Sequence, residues 1–134
     1  MNAFPILIEQ DLSLIDSFKI FRKKRLSHLL VVHHGVLVGV ISKEDLLNKM
    51  VELAHDTTGK NYNEIILQTT PVSRIMSSEL ITAHPEDLLT DTVDKMLNTG
   101  VHCIPVVNGD SQPVGILTPI DLLRAYTAGF ENVG

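Results

Sequence analysis

Gly39-Val40-Ile41-Ser42-Lys43-Glu44-Asp45-Leu46-Leu47 returns later in the chain as Gly115-Ile116-Leu117-Thr118-Pro119-Ile120-Asp121-Leu122-Leu123. In each stretch an apolar run reaches a hydroxyl residue, and an aspartate follows three positions on. A serine or threonine with an acid three residues later marks the start of a helix. Pro119 falls where the first helical position tolerates proline. Both stretches therefore read as a strand passing directly into a helix.

A motif that occurs twice calls for a search for a longer repeat. Leu29-Leu30-Val31-Val32 matches Ile104-Pro105-Val106-Val107 at an offset of 75 (106 − 31), and Gly39 matches Gly115 at 76 (115 − 39). The added residue falls in Asn108–Pro113, a turn-rich stretch where insertion costs little. Upstream, Leu14, Ile15, Phe18 and Phe21 stand opposite Leu89, Thr90, Val93 and Met96, spacings that mark one apolar helix face. Gly100 ends the second of these helices as a C-terminal stop, and Arg25 stands there in the first.

Each copy reads as strand, helix, strand, hairpin turn, strand, helix. The first copy places these elements at Ile6–Ile8, Leu12–Lys24, Leu29–Val32, Val36–Ile41 and Lys43–Ala54. The second places them at Leu80–Ala83, Asp87–Asn98, Cys103–Val107, Val114–Leu117 and Pro119–Ala128. The expected organisation is a first repeat over 1–55, a connecting segment over 56–70 and a second repeat over 71–134. The connection is polar at Thr57-Thr58-Gly59-Lys60-Asn61 and reads as a loop, with Ile65-Ile66-Leu67 as an apolar patch that docks on the core. One copy cannot bury both faces of so small a sheet, whereas two packed face to face can.

Composition narrows the class. Of 134 residues, 44% are hydrophobic and 20% charged, the profile of an ordinary globular chain. A net charge of -5 argues against broad nucleic-acid contact, which depends on neutralised phosphates. The basic run Arg22-Lys23-Lys24-Arg25 reads as a solvated helix end. Cys103 is the only cysteine, so no internal disulfide forms, which fits a reducing compartment. The start Met1-Asn2-Ala3-Phe4-Pro5 lacks the features of a signal peptide, and no apolar run approaches the ~20 residues of a membrane span. The expectation is a cytoplasmic protein.

The second copy resembles a CBS repeat almost throughout, at Val72-Ser73-Arg74-Ile75-Met76, Leu80-Ile81-Thr82-Ala83-His84-Pro85, Gly100–Val107 and Gly115–Leu123. The first matches more loosely, most closely at Gly39–Leu47. The resemblance implies an α+β fold of two β-α-β-β-α repeats, packed as an intramolecular pair about a pseudo-twofold axis and often called a Bateman module. It further implies two clefts between the copies and association of such pairs into a disk-shaped homodimer. Ligands of similar proteins are AMP, ADP, ATP, S-adenosylmethionine or cyclic dinucleotides.

At the strand-to-helix junction, free N–H groups and the positive dipole end favour phosphate. A carboxylate one turn in can accept from ribose hydroxyls. The same residues also make an ordinary helix cap. In the resembling proteins the aspartate comes from one copy and the adenine cradle from the other. Carried over, the first cleft joins Ser42, Lys43 and Asp45 to Ile81, Thr82, His102, Cys103, Ile104 and Pro105. A weaker second cleft joins Thr118 and Asp121 to Ile6, Leu7, Ser27, His28, Leu29 and Leu30. There Leu30 replaces the cradle proline, Gln10 stands opposite Pro85, and Pro119 removes a backbone donor.

The remaining reactive residues give weaker signals. His102 and Cys103 are neighbours on an extended chain and point to opposite faces, so a nucleophile–base pair is not expected and a buried, inert thiol is. His33-His34 reads as a solvated turn before Gly35, and no metal is expected. His28 and His84 are individually uninformative.

The reading is a stand-alone adenine-nucleotide or adenosyl-ligand sensor, acting in trans on a regulated protein partner, without cofactor, nucleic-acid or membrane interaction. The alternative is a ligand-free structural or dimerisation module that binds a protein partner. An enzyme is the least expected class, because no paired catalytic constellation, phosphate loop or metal-ligand cluster is present.

Overall fold

A computed structural model of the chain describes residues 1–55 and 60–134. It is mixed α+β, and its residues gather into two compact units. One comprises Leu7–His33 and Val38–Glu79, the other Met1–Ile6, His34–Leu37 and Leu80–Gly134.

The first unit opens with β1 (Leu7–Glu9), α1 (Leu14–Lys23) and β2 (His28–His33). It continues through β3 (Val36–Ser42), α2 (Lys43–Ala54) and α3 (Lys60–Thr69) to a 3-10 turn at Val72–Arg74. The three strands form one sheet in the order β1-β2-β3, with β1 parallel to β2 and Ile8 opposite Val31. Ser13 caps α1 by accepting from the Asp16 N–H, and Arg22 and Lys23 in the last turn suit the dipole. Leu14, Ser17 and Phe21 face inward. Ser17 is buried at little cost because its hydroxyl donates to the Ser13 carbonyl at 3.0 Å. The segment after α3 covers the start of α1, since the Leu14 N–H donates to the Thr70 carbonyl at 3.0 Å.

The other unit carries α4 (Leu89–Thr99), β4 (Ile104–Val107), β5 (Pro113–Leu117) and α5 (Pro119–Thr127). Strands β4 and β5 are antiparallel, with Ile104 opposite Leu117. Leu89, Thr92 and Met96 face inward from α4, and Gly100 closes that helix in the left-handed conformation at φ 73°. Thr92 repeats the device of Ser17, its hydroxyl donating to the Leu88 carbonyl. The core gathers Ala83, Leu89, Met96, Ile104, Val106, Leu117, Leu122, Ala125 and Val133.

Several elements depart from the sequence reading. No strand forms over Leu80–Ala83: Ala83 alone bridges Val106 in parallel, through its N–H to the Pro105 carbonyl and its carbonyl to the Val107 N–H. That bridge is the repeat counterpart of Ile8–Val31, reduced to one residue because Pro105 on one side and Pro85, which stands where Gln10 donates to the Val32 carbonyl, on the other bring no N–H to the ladder. The connection is not a loop where it is described. Lys60–Thr69 is helical and packs on α1 and α2, with Ile66 and Leu67 half-buried and Ile65 exposed. Thr57, Thr58 and Gly59 lie outside the described residues. On the helix faces, Phe18 is only half-buried, and Val93 and Thr90 are exposed, while Ser17 and Thr92 take the inner positions.

Two terminal segments also do more than expected. Asn2 pairs with Ile116 through both backbone bonds, at 2.9 and 3.0 Å, so the N-terminus extends the β4–β5 sheet. Ser77 pairs with Val40 in the same manner within the other unit. The C-terminal tail covers the start of α4, where the Leu89 N–H donates to the Glu131 carbonyl at 2.8 Å.

Candidate functional site

Strand β3 runs into α2 at Ser42, whose extended backbone (φ -90°, ψ 150°) turns the chain into the helix. Its Oγ accepts from the Asp45 N–H at 3.0 Å. The Lys43 N–H donates to the Ser27 carbonyl at 2.9 Å, which ties the α2 start to the beginning of β2. The expected row of free donors is therefore reduced to the Glu44 N–H, the other two being occupied. The side chains of Lys43 and Asp45 are exposed, and neither forms an ion pair among the described residues.

Ser27, His28, Leu29 and Leu30 belong to this same unit. Ser27 Oγ and His28 Nδ1 lie 2.9 Å apart, and Leu29 and Leu30 are fully buried. Leu7 is partly exposed opposite Leu30, while Ile6 belongs to the other unit and is half-buried.

The second motif is closed differently. Thr118 Oγ1 accepts from the Asp121 N–H at 3.4 Å, and Asp121 Oδ2 accepts from the Thr118 N–H at 2.9 Å. The Thr118 hydroxyl donates to the same oxygen at 3.0 Å. This is a complete capping box. Pro119 occupies the first helical position and offers no donor.

The other cradle residues lie in the unit of β4 and β5. Ile104 and Pro105 are fully buried, and Ile81 packs against the core. The Thr82 carbonyl accepts from Lys95 Nζ at 2.9 Å. His102 is exposed and Cys103 buried. Burial pushes the Cys103 thiol up to about 12, and the Asp121 carboxylate adds a smaller push in the same direction. The group is therefore a protonated thiol near neutral pH, far from a reactive thiolate.

The histidines that the sequence left open have placements too. His84 Nδ1 sits 3.0 Å from the Val107 carbonyl, and the His84 backbone N–H donates to Asp87 Oδ2 at 2.8 Å. His34 and Gly35 form the turn between β2 and β3, both at positive φ (52° and 79°). Among the described residues no group of three or more His, Cys, Asp or Glu is placed to hold a metal ion. No described helix is long and apolar enough to cross a membrane.

Sequence reasoning missed the glycine contacts behind both motifs. A Cβ at Gly39 would meet Met76 Sδ and stand 3.1 Å from the Ser77 carbonyl oxygen. One at Gly115 would meet Met1 Sδ and stand 3.0 Å from the Asn2 carbonyl oxygen. The signal was available, because Met1-Asn2 and Met76-Ser77 are themselves related by the repeat offset.

Two copies of one strand-to-helix junction, each with its helices and hairpin, define a tandem-repeat α+β protein. The CBS domain matches residues 1–52 and 72–128, and the chain belongs to the CBS domain family. Uncharacterized protein MJ1426 of Methanocaldococcus jannaschii is 28% identical over 90% of this chain and 85% of its own length. Other curated relatives are longer, and the chain spans 21% of one and 27% of another. Among solved structures, the CBS domain pair of protein MJ0100 in complex with 5-methylthioadenosine and S-adenosyl-L-methionine is similar. It shares 27% identity at a TM-score of 0.74, covering 93% of both chains. CBSX2 in complex with AMP is 26% identical at a TM-score of 0.71, covering 92% of this chain and 88% of that one.

Proposed function

We infer that the chain is a regulatory module that binds an adenosyl ligand (AMP, ADP, ATP or S-adenosylmethionine) and is not an enzyme. Ser42, Lys43 and Asp45 meet the ribose and the phosphate end. Ile81, Thr82, Cys103, Ile104 and Pro105, from the other repeat, hold the base, and His102 stands with Lys43 toward the phosphate. The repeats span 1–55 and 71–134. Thr118 and Asp121, with Ile6, Leu7, Ser27, His28, Leu29 and Leu30, form the weaker site.

The observation that carries this reading is the Asp45 carboxylate. It is exposed and makes no hydrogen bond among the described residues, so both oxygens stay available to ribose hydroxyls. The likeness to CBS pairs crystallised with adenosyl ligands supplies the ligand class. Asp121 supports the ranking of the two sites, since one of its oxygens already accepts twice.

The module acts as a homodimer on a regulated protein partner. Support for self-association comes from α4 and α5, where Leu97, Leu123 and Tyr126 are 76%, 62% and 82% exposed. Ligand changes the partner's response by binding one arrangement of the protein better than another.

Melting curves with AMP, ADP, ATP and S-adenosylmethionine test the ligand reading. At 100 times the dissociation constant a ligand adds about 2.7 kcal/mol and raises the midpoint by several degrees. Unmoved curves with all four ligands in folded protein leave the dimerisation module as the function. Sedimentation equilibrium tests the dimer.

A further inference from the structure

The basic run Arg22–Arg25 plays no part in the nucleotide reading, yet it borders an open groove of about 200 Å³ between the end of α1 and the start of α2. Phe18, Phe21, Leu46 and Leu47 make the groove apolar. Phe18 is half-buried and Leu47 38% exposed, so both present apolar surface to solvent. Arg22, Lys24, Arg25 and Lys43 surround that surface with four positive charges. All four are exposed, and none forms an ion pair among the described residues. Arg22 lies over the Phe18 ring, its guanidinium carbon 5.9 Å from the centroid. Glu44 and Asp45 follow Lys43 along α2 without pairing to any of the four.

A chain of net charge -5 thus concentrates four cations at one apolar hollow. Gathering like charges raises their mutual repulsion, which an anionic partner relieves. A free phosphate uses the cations and leaves the apolar floor wet. A neutral apolar molecule uses the floor and leaves the cations idle. The volume is also below the ~300–1,000 Å³ of pockets that enclose whole small molecules, and suits a single inserted side chain. An apolar anchor within a charged rim is the arrangement of a protein-docking hot spot.

We propose that the α1–α2 groove docks an acidic segment of a partner protein, with one leucine or phenylalanine seated among Phe18, Phe21, Leu46 and Leu47. The flanking Asp or Glu residues pair with Arg22, Lys24 and Arg25, setting the approach and making binding salt-dependent, while Lys43 is left to the nucleotide. This site is independent of the nucleotide reading and stands or falls separately.

The probe is a synthetic peptide, Glu-Asp-Leu-Phe-Glu-Asp with blocked ends, titrated into nitrogen-15-labelled protein. Backbone amides of residues 18–25 and 43–47 shift saturably. The peptide with two alanines in place of Leu-Phe binds about tenfold more weakly, and Arg22→Glu with Arg25→Glu weakens binding by about tenfold or more. Arg25→Gln alone gives a smaller loss, and the amide spectrum of each variant verifies the fold. AMP leaves the peptide bound. The proposal is overturned by unshifted groove amides at millimolar peptide or by equal binding of the alanine peptide. It is also overturned if AMP displaces the peptide, or if the groove amides shift on concentrating the protein alone, which seats a second copy there.

Discussion

Ser42 Oγ accepts from the Asp45 N–H at 3.0 Å, and the Asp45 carboxylate does not return the bond. At the repeat-related position, Thr118 and Asp121 bond in both directions, at 3.4 and 2.9 Å. One motif therefore serves two ends. The second copy spends its aspartate on closing the helix, and the first leaves its aspartate free.

The caps should rank accordingly. Thr118→Ala removes both the acceptor for Asp121 N–H and the hydroxyl that fixes the carboxylate, and should cost about 1–2 kcal/mol. Ser42→Ala loses a one-way cap and should cost about 1 kcal/mol or less. Urea midpoints at unchanged slope report the difference. An equal or reversed order would show that the reciprocal bond adds nothing.

Gly39 and Gly115 each leave room for a methionine side chain and a neighbouring backbone carbonyl. Gly39→Ala forces Met76 aside and crowds the Ser77 carbonyl, and Gly115→Ala does the same to Met1 and Asn2. Each should cost about 1–3 kcal/mol. Combining Gly39→Ala with Met76→Ala should recover part of the loss, because the two residues share one space. Strictly additive unfolding energies in that double-mutant cycle would contradict the contact.

The repeat, the helices and the hairpins were legible because periodicity and turn residues are local signals. The Gly39–Asp45 and Gly115–Asp121 junctions could be placed to the residue. What escaped depends on pairing between distant segments. The pairing of Asn2 with Ile116 is legible only through its repeat counterpart, Ser77 with Val40, and nothing in Glu131 announces a bond to Leu89. Ser17 and Thr92 take inner positions that the expected faces give to Phe18 and Val93, and each satisfies its hydroxyl within its own helix. Of the site, the caps were readable, while the consumption of the Lys43 N–H by Ser27 was not, since it requires knowing where β2 begins relative to α2.

The C-terminal tail is structural. Val133 is 2% exposed, and its N–H donates to the Asp87 carbonyl at 2.9 Å. Val133→Ala should cost about 1–2 kcal/mol through lost burial. Removing residues 131–134 should cost more, because the Leu89 N–H then loses its acceptor as well. A truncated chain as stable as the full one in urea would refute this role.

Cys103 links stability to alkaline pH. Its thiol pKa rises from the ordinary 9.0 to about 12 in the folded chain, chiefly through burial. The neutral form is favoured on folding, so the contribution is fully present below pH 9 and is lost as pH climbs toward about 12. Comparing the pH dependence of unfolding for wild type and Cys103→Ala isolates this group from the lysines and tyrosines. At pH 8 the folded protein should also react with iodoacetamide far more slowly than the denatured chain. Equal rates would contradict the burial.

Calorimetric titration of wild type, Asp45→Ala and Asp121→Ala with whichever adenosyl ligand raises the melting midpoint bears most directly on the central claim. Loss of Asp45 should weaken binding about tenfold or more while leaving stability nearly unchanged, because its carboxylate closes no cap. Loss of Asp121 should lower stability and leave affinity close to wild type. Full affinity in Asp45→Ala, or a collapse of binding in folded Asp121→Ala, would contradict the account.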